Sequence, residues 1–267
     1  MTTWRGETAG RACRCAKRQA WGPSSNLRPT NAAMMWHSPG PDFPMLTVHH
    51  LNNSRSQRVL WLLEELGVPY EIKRYERDAK TMLAPPELRA VHPLGKSPVI
   101  TDDGLTIAES GAIIEYLVDR YGLGRFAPAI GTPERLHYTY WLHYAEGSVM
   151  PPLLLKLVAL RIGSAPMPFF AKPIARKIAS TLQSSFVDPQ IKLHLGYVND
   201  ALTPTGWFVG NEFSAADVQM SFPLEAATAR GGDNANIAAI RGFLDRIHAR
   251  PAYQRALERG GKYELLS

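Results

Sequence analysis

The first sustained apolar pattern in the chain begins at Leu46. Leu46-Thr47-Val48-His49-His50-Leu51 reads as a short strand, and Asn52-Asn53-Ser54 has turn and cap chemistry. Val59, Leu60, Leu62, Leu63 and Leu66 then recur at helical spacing up to Gly67, which stands where a helix stops. A second strand is expected over 70–75. This β-helix-β order implies two parallel strands joined by a right-handed crossover. A short helix is expected around 86–91. Strands at 98–101 and 105–107 follow, and Asp102-Asp103-Gly104 between them is a hairpin signal. A helix over 110–121 places Ile113, Ile114, Leu117 and Val118 on one face before Gly122.

The sum is β-α-β, a connecting helix, then β-β-α, which is an α/β thioredoxin-like layout. Residues 122–131 hold three Gly and one Pro and read as a linker. Beyond them no strand pattern occurs. Thr132 caps a helix with Pro133 at its first position. Helical patterns continue to the C-terminus, interrupted by Pro151-Pro152, Pro166, Pro168, Pro173, Pro189, Pro204 and Pro251. The expected organisation is a thioredoxin-like domain over 45–124 and an all-α C-terminal domain of five or six helices over 132–267.

Charge and sulfur change the picture through their location. The 267 residues carry 30 Lys and Arg against 24 Asp and Glu. Residues 1–44 hold six of those bases (Arg5, Arg11, Arg14, Lys17, Arg18, Arg28) against Glu7 and Asp42, a net +4. The rest of the chain is left at 24 bases and 22 acids, a net +2. So small a surplus argues against a nucleic-acid-binding surface. Both cysteines, Cys13 and Cys15, also lie in the first 44 residues. Residues 45–267 can therefore form no disulfide, cysteine nucleophile or Cys-x-x-Cys site. Two thiols without nearby histidines do not close a zinc site, so no metal is expected. No stretch approaches the roughly 20 uninterrupted apolar residues of a membrane span. Residues 1–44 themselves read as a disordered leader, a targeting peptide or a stretch upstream of the true start. Met45, directly before the first strand, favours the third, and five prolines from Pro23 to Pro44 oppose a transit-peptide helix.

Three places carry chemistry. Where the first strand feeds the first helix, Ser54 is expected at the N-cap, its hydroxyl and the free N–H groups aimed at one spot. A helix N-terminus favours anions and lowers the pKa of a nearby thiol. Read without a ligand, the same serine is an ordinary cap worth about 1 kcal/mol. The second place is His92-Pro93-Leu94-Gly95-Lys96-Ser97-Pro98. With a cis Ser97–Pro98 bond, the Ser97 backbone forms an unpaired edge for an extended peptide, and Lys96 supplies a cation for a carboxylate. A plain loop entering an edge strand reads equally well. The third place is Glu109-Ser110, either a capping pair or a grip on an amino-acid head group. In that grip Ser110 binds the carboxylate and Glu109 the α-amino group. A ligand with an amino-acid head, an extended peptide backbone, a thiol and a terminal carboxylate fits all three, and that ligand is glutathione.

On these strings residues 45–267 resemble a soluble glutathione transferase. The residues concerned are Asn53-Ser54-Arg55 with Arg58, the Lys96-Ser97-Pro98 segment and Ala108-Glu109-Ser110. In the helical half, Gly210-Asn211-Glu212-Phe213-Ser214-Ala215-Ala216-Asp217 resembles the family's N-capping box, a folding motif. The strings from Tyr144 to Pro152 and from Met220 to Leu224 resemble the bacterial and fungal branch near the yeast transferases. The resemblance implies the glutathione transferase fold, with glutathione as co-substrate, no other cofactor, and a small electrophile as acceptor. It further implies a cytoplasmic homodimer with no membrane or nucleic-acid partner. With no Tyr at 49–58 and no Cys after position 15, it implies a serine type. Ser54 would then donate to the thiolate, with Asn53 as the fallback donor and Arg55 and Arg58 adding positive field. Lys96, Ser97, Pro98, Glu109 and Ser110 would bind the rest of glutathione. Tyr140, Tyr144 and Ser148, at i, i+4 and i+8, and Trp141 beside them, are candidates for the acceptor site, or else core. A glutathione-dependent peroxidase or thiol reductase, and a non-catalytic glutathione-binding relative, stay open beside conjugation. The lack of cysteine argues against mixed-disulfide chemistry but leaves peroxide reduction open.

Overall fold

The computed structural model describes residues 45–229, 237–261 and 263. The leader and the Cys13-x-Cys15 pair lie outside the described residues. The α/β part runs β1 (Thr47–Leu51), α1 (Ser56–Leu66), β2 (Glu71–Tyr75), α2 (Pro86–Val91), β3 (Val99–Asp102), β4 (Leu105–Ala108) and α3 (Ser110–Tyr121). The sheet order is β2-β1-β3-β4. β1 pairs parallel with β2 and antiparallel with β3, and β3 pairs antiparallel with β4. The β3–β4 turn needs only Asp103 and Gly104, at φ 48 and 77, the left-handed pair that closes a two-residue hairpin.

Alternation along the strands splits the apolar side chains between two layers. Val48, Ile72 and Ile100 join the main core under α1 and α3. Leu51 and Tyr75, of opposite parity, meet Leu88 of α2 on the other face. The four apolar residues expected on one face of α3 are all buried.

The remainder is helical: α4 (Pro133–Tyr144), α5 (Met150–Ser164), α6 (Lys172–Leu182), α7 (Asp188–Leu202), α8 (Ala215–Ala229), α9 (Ala238–His248) and α10 (Pro251–Gly260). Thr132 caps α4 by accepting from the Arg135 N–H at 3.2 Å. A π turn over Ala145–Val149 joins α4 to α5, and another over Gln183–Val187 joins α6 to α7. Seven α segments among the described residues thus make five continuous rods. Pro151 and Pro152 end the i→i−4 ladder but leave the rod unbroken. Lacking N–H groups, they tolerate the wider turn, in which the Met150 N–H reaches back to the Ala145 carbonyl.

The rod Pro133–Ser164 is long and apolar enough to cross a membrane by length and composition. It buries Trp141, Val149, Leu153 and Ala159 against the other helices and leaves Leu154, Leu155 and Val158 exposed.

α1 is the shared wall of both halves. Trp61, fully buried, meets Phe213 at 5.5 Å and the edge of Tyr253 at 5.1 Å between ring centroids. The Arg250–Glu65 ion pair, and those of Arg255 and Arg259 with Glu64, tie α10 and the residue before it to α1. Of the expected capping box, the return contact from Asp217 forms, reaching the Ser214 N–H at 2.7 Å, while the Ser214 hydroxyl donates to that carboxylate at 3.1 Å and does not cap a backbone N–H.

Candidate functional site

A cavity of about 670 Å³ opens where β1 feeds α1. Asn53, in the left-handed region at φ 49, and Arg55 form one wall. Lys96, Ser97 and Pro98 form the next, with the Ser97–Pro98 peptide cis and β3 starting at the following residue. Glu109 and Ser110, at the start of α3, form the third. Glu109 is held at φ 71, a conformation that costs a non-glycine residue on the order of 1–3 kcal/mol and persists where the surroundings impose it. Seven residues singled out from the sequence therefore line one cavity.

Ser54 does not line it. The N-cap position belongs to Arg55, one residue later than expected, because α1 starts at Ser56. The Ser54 hydroxyl is buried and lies 2.7 Å from Ser56 Oγ and 3.3 Å from Ser97 Oγ. It also accepts from the Ser56 N–H at 3.3 Å, so it closes the turn from within. Ser97 Oγ in turn donates to the His49 carbonyl at 3.1 Å.

Behind Ser56 stands His50, its Nδ1 2.8 Å from Ser56 Oγ. Burial pushes the His50 pKa from 6.5 down to about 4, the Arg74 charge adds to this, and a backbone hydrogen bond with Gly260 opposes it. The unfolded chain protonates this imidazole below about pH 6.5, whereas the folded chain does so only near pH 4. Its contribution to stability is therefore complete above pH 6.5 and is lost as the pH falls through that window. The melting temperature of the wild-type protein is expected to fall by roughly 5 °C more between pH 7 and pH 4 than that of His50→Gln. Calorimetry of both proteins across that range checks it.

Arg55 and Arg58 stand beside the cavity but converge on one carboxylate. Glu146, in the first π turn, accepts from Arg55 Nε at 3.0 and 3.1 Å and from the Arg58 guanidinium. Arg58 is buried and also donates to the Gln219 carbonyl at 2.6 Å. Burial pushes the Glu146 carboxyl up, but the Arg58 and Arg55 charges outweigh it and hold the group below its ordinary value. Much of the field expected from the two arginines is thus neutralised on the spot. Glu146 lines the cavity together with Leu154, Leu157 and Arg161 of α5, and Arg77, Met82 and Leu83 arrive from the segment between β2 and α2. No sequence signal flagged these, because each matters through a partner far away in the chain.

The acceptor-site candidates on α4 are placed elsewhere. Trp141 and Tyr144 are buried among Phe208, Tyr197 and His194, and the Tyr144 hydroxyl lies 2.7 Å from His194 Nδ1. Tyr140 stacks on Tyr144 at 5.4 Å, with 42% of its surface exposed, away from the cavity wall. The π turn shifts the phase of Ser148, so the i, i+4, i+8 face breaks after Tyr144. Trp141 and Tyr144 are core, Tyr140 is partly exposed beside them, and the cavity is lined instead by Leu154, Leu157 and Arg161 further along the same rod.

A thioredoxin-like sheet with its site at the start of α1, backed by helical rods across that helix, defines the fold class of the soluble glutathione transferases. Comparison with known proteins agrees. The model for the glutathione S-transferase N-terminal domain matches residues 44–119. Glutathione S-transferase 3 of Schizosaccharomyces pombe is 38% identical over 216 residues, 80% of this chain and 88% of the relative. Glutathione S-transferase 1 of Saccharomyces cerevisiae is 34% identical, covering 70% of this chain and 82% of its own length. The crystal structure of a glutathione S-transferase from Actinobacillus pleuropneumoniae superposes with a TM-score of 0.68 at 35% identity, covering 83% of this chain and 96% of that one. The chain belongs to the glutathione S-transferase family, near the yeast transferases.

Proposed function

We propose that the cavity binds glutathione, stabilises its thiolate at the β1–α1 junction and delivers it to a small electrophile. The observation that carries this reading is the convergence of Asn53, Lys96, Ser97, Pro98, Glu109 and Ser110 on one cavity. Glu109 and Ser110 suit the γ-glutamyl head, the Ser97 backbone suits the cysteinyl peptide, and Lys96 suits the glycyl carboxylate. The chemistry required of the protein is to favour an anion and to hold two reactants together. Capture on immobilised glutathione, then turnover of a generic aryl halide with a peroxide panel beside it, tests the reading. Absence of binding at millimolar glutathione overturns it. Turnover of peroxide alone would replace conjugation by reduction at the same site.

Between the two candidate thiolate donors, the reading places Asn53 against the sulfur. Asn53 is on the cavity wall, and Ser54 is not. Asn53→Ala is expected to lower kcat about ten- to hundredfold with little change in the KM for glutathione. Ser54→Ala is expected to cost less activity and some stability. Steady-state kinetics on the two variants decides, and a larger kcat loss in Ser54→Ala would reverse the assignment. By resemblance the protein works as a homodimer in the cytoplasm, and sedimentation analysis tests the first of these.

A further inference from the structure

The acceptor side of the cavity holds more positive charge than glutathione can use. Arg55 and Arg58 share the carboxylate of Glu146. In the proposed pose, glutathione's two carboxylates go to Lys96 and to Ser110, and its ammonium goes to Glu109. Arg77, Arg89 and Arg161 are left over, and the stem of Arg89 packs against Gly95 next to Lys96, away from the other two. Arg161, on the last turn of α5, has no carboxylate partner among the described residues. Neither does Arg77, whose guanidinium donates to the Met82 carbonyl at 3.2 Å. Burial lowers the Arg77 pKa, and repulsion from Arg55 and Arg161 adds to it, so the three cations feel one another across the cleft. Beside them the wall is apolar: Met82 and Leu83 on one side, Leu154 and Leu157 of α5 on the other. Like charges held together over an apolar wall are a standing cost that an anion with an apolar body removes.

We infer that this cleft selects electrophiles that carry their own negative charge, an apolar body bearing a carboxylate or sulfonate, and that Arg161 and Arg77 hold that group. The inference rests on the glutathione reading above. Arg161 and Arg77 would act as specificity residues, worth the most in a charge-assisted hydrogen bond to an acceptor that a neutral electrophile lacks.

Calorimetric titration of the intact protein with S-benzylglutathione and S-(4-carboxybenzyl)glutathione tests this without turnover. The added carboxylate is expected to tighten Kd about tenfold in the wild-type protein. The ratio of the two Kd values is expected to fall below about threefold in Arg161→Gln and in Arg77→Gln, and to shrink with added salt. Each protein supplies its own neutral reference, so a general loss of affinity does not alter the ratio. If the neutral conjugate binds and the charged one gains nothing, this inference falls alone. A gain that survives in both variants overturns the assignment to Arg161 and Arg77. If neither conjugate binds the wild-type protein, the glutathione reading falls and this inference with it.

Discussion

Asp217→Ala is expected to lower stability by about 3–5 kcal/mol and the melting temperature by roughly 10 °C or more, as measured by thermal unfolding. The Asp217 carboxylate is fully buried and accepts from the Phe208 N–H at 3.0 Å, the Ser214 N–H at 2.7 Å and the Ser214 hydroxyl at 3.1 Å. Alanine leaves all three donors buried without an acceptor, at about 1–3 kcal/mol each before relaxation. It also frees the start of α8, which carries Val218, Met220 and Leu224 into the core and holds the Gln219 carbonyl that Arg58 uses. Asp217→Asn, which keeps the shape and one acceptor, is expected to lose about half as much. An alanine variant that melts within 2–3 °C of the wild type would refute a structural role of this size.

The second large effect is expected at Glu146. Glu146→Gln removes the one carboxylate that, among the described residues, pairs with Arg58, whose side chain is 1% exposed, and with the half-buried Arg55. Removing one partner of a buried ion pair leaves the other uncompensated, a loss of 3–5 kcal/mol in fully buried cases. Glu146 keeps 31% of its side chain exposed, so about 3 kcal/mol, close to 10 °C, is the expected loss here. The variant should also turn over more slowly, because Glu146 fixes the start of α1 against the π turn and both belong to the cavity wall. Arg58→Met, which removes the buried charge as well, should restore much of the stability of Glu146→Gln. Double-mutant analysis reads that coupling directly, and additive losses at the two positions would contradict the proposed pairing.

Local rules made the α/β half readable. Leucines at helical spacing before Gly67, the Asp103-Gly104 turn and the apolar face of α3 each depend on neighbours within a few residues, and the structure places each as expected. The parallel β1–β2 pair followed from the β-helix-β order alone. The helical half was legible as helix, through Thr132-Pro133 and the apolar spacing, but not in its phase. Pro151 and Pro152 looked like breaks. They sit instead at a π turn that keeps one rod running and rotates Ser148 off the face of Tyr140 and Tyr144. The same difficulty hid the cleft. Glu146 lies inside the 144–152 string, but its meaning lies in Arg55 and Arg58, some 90 residues away. Ser54 departs from its expected cap position for a smaller reason: the helix starts one residue later, the serine hydroxyl bonds Ser56 and Ser97, and Asn53 lines the cavity.

In the proposed function this cavity holds glutathione as a thiolate. The ultraviolet thiolate signal of bound glutathione, followed across pH, tests it most directly. An ordinary thiol titrates near pH 8.5. The site described here predicts a bound thiol that titrates about one to two units lower, and Asn53→Ala returning it most of the way. Glutathione that binds but titrates at its ordinary value would contradict the account.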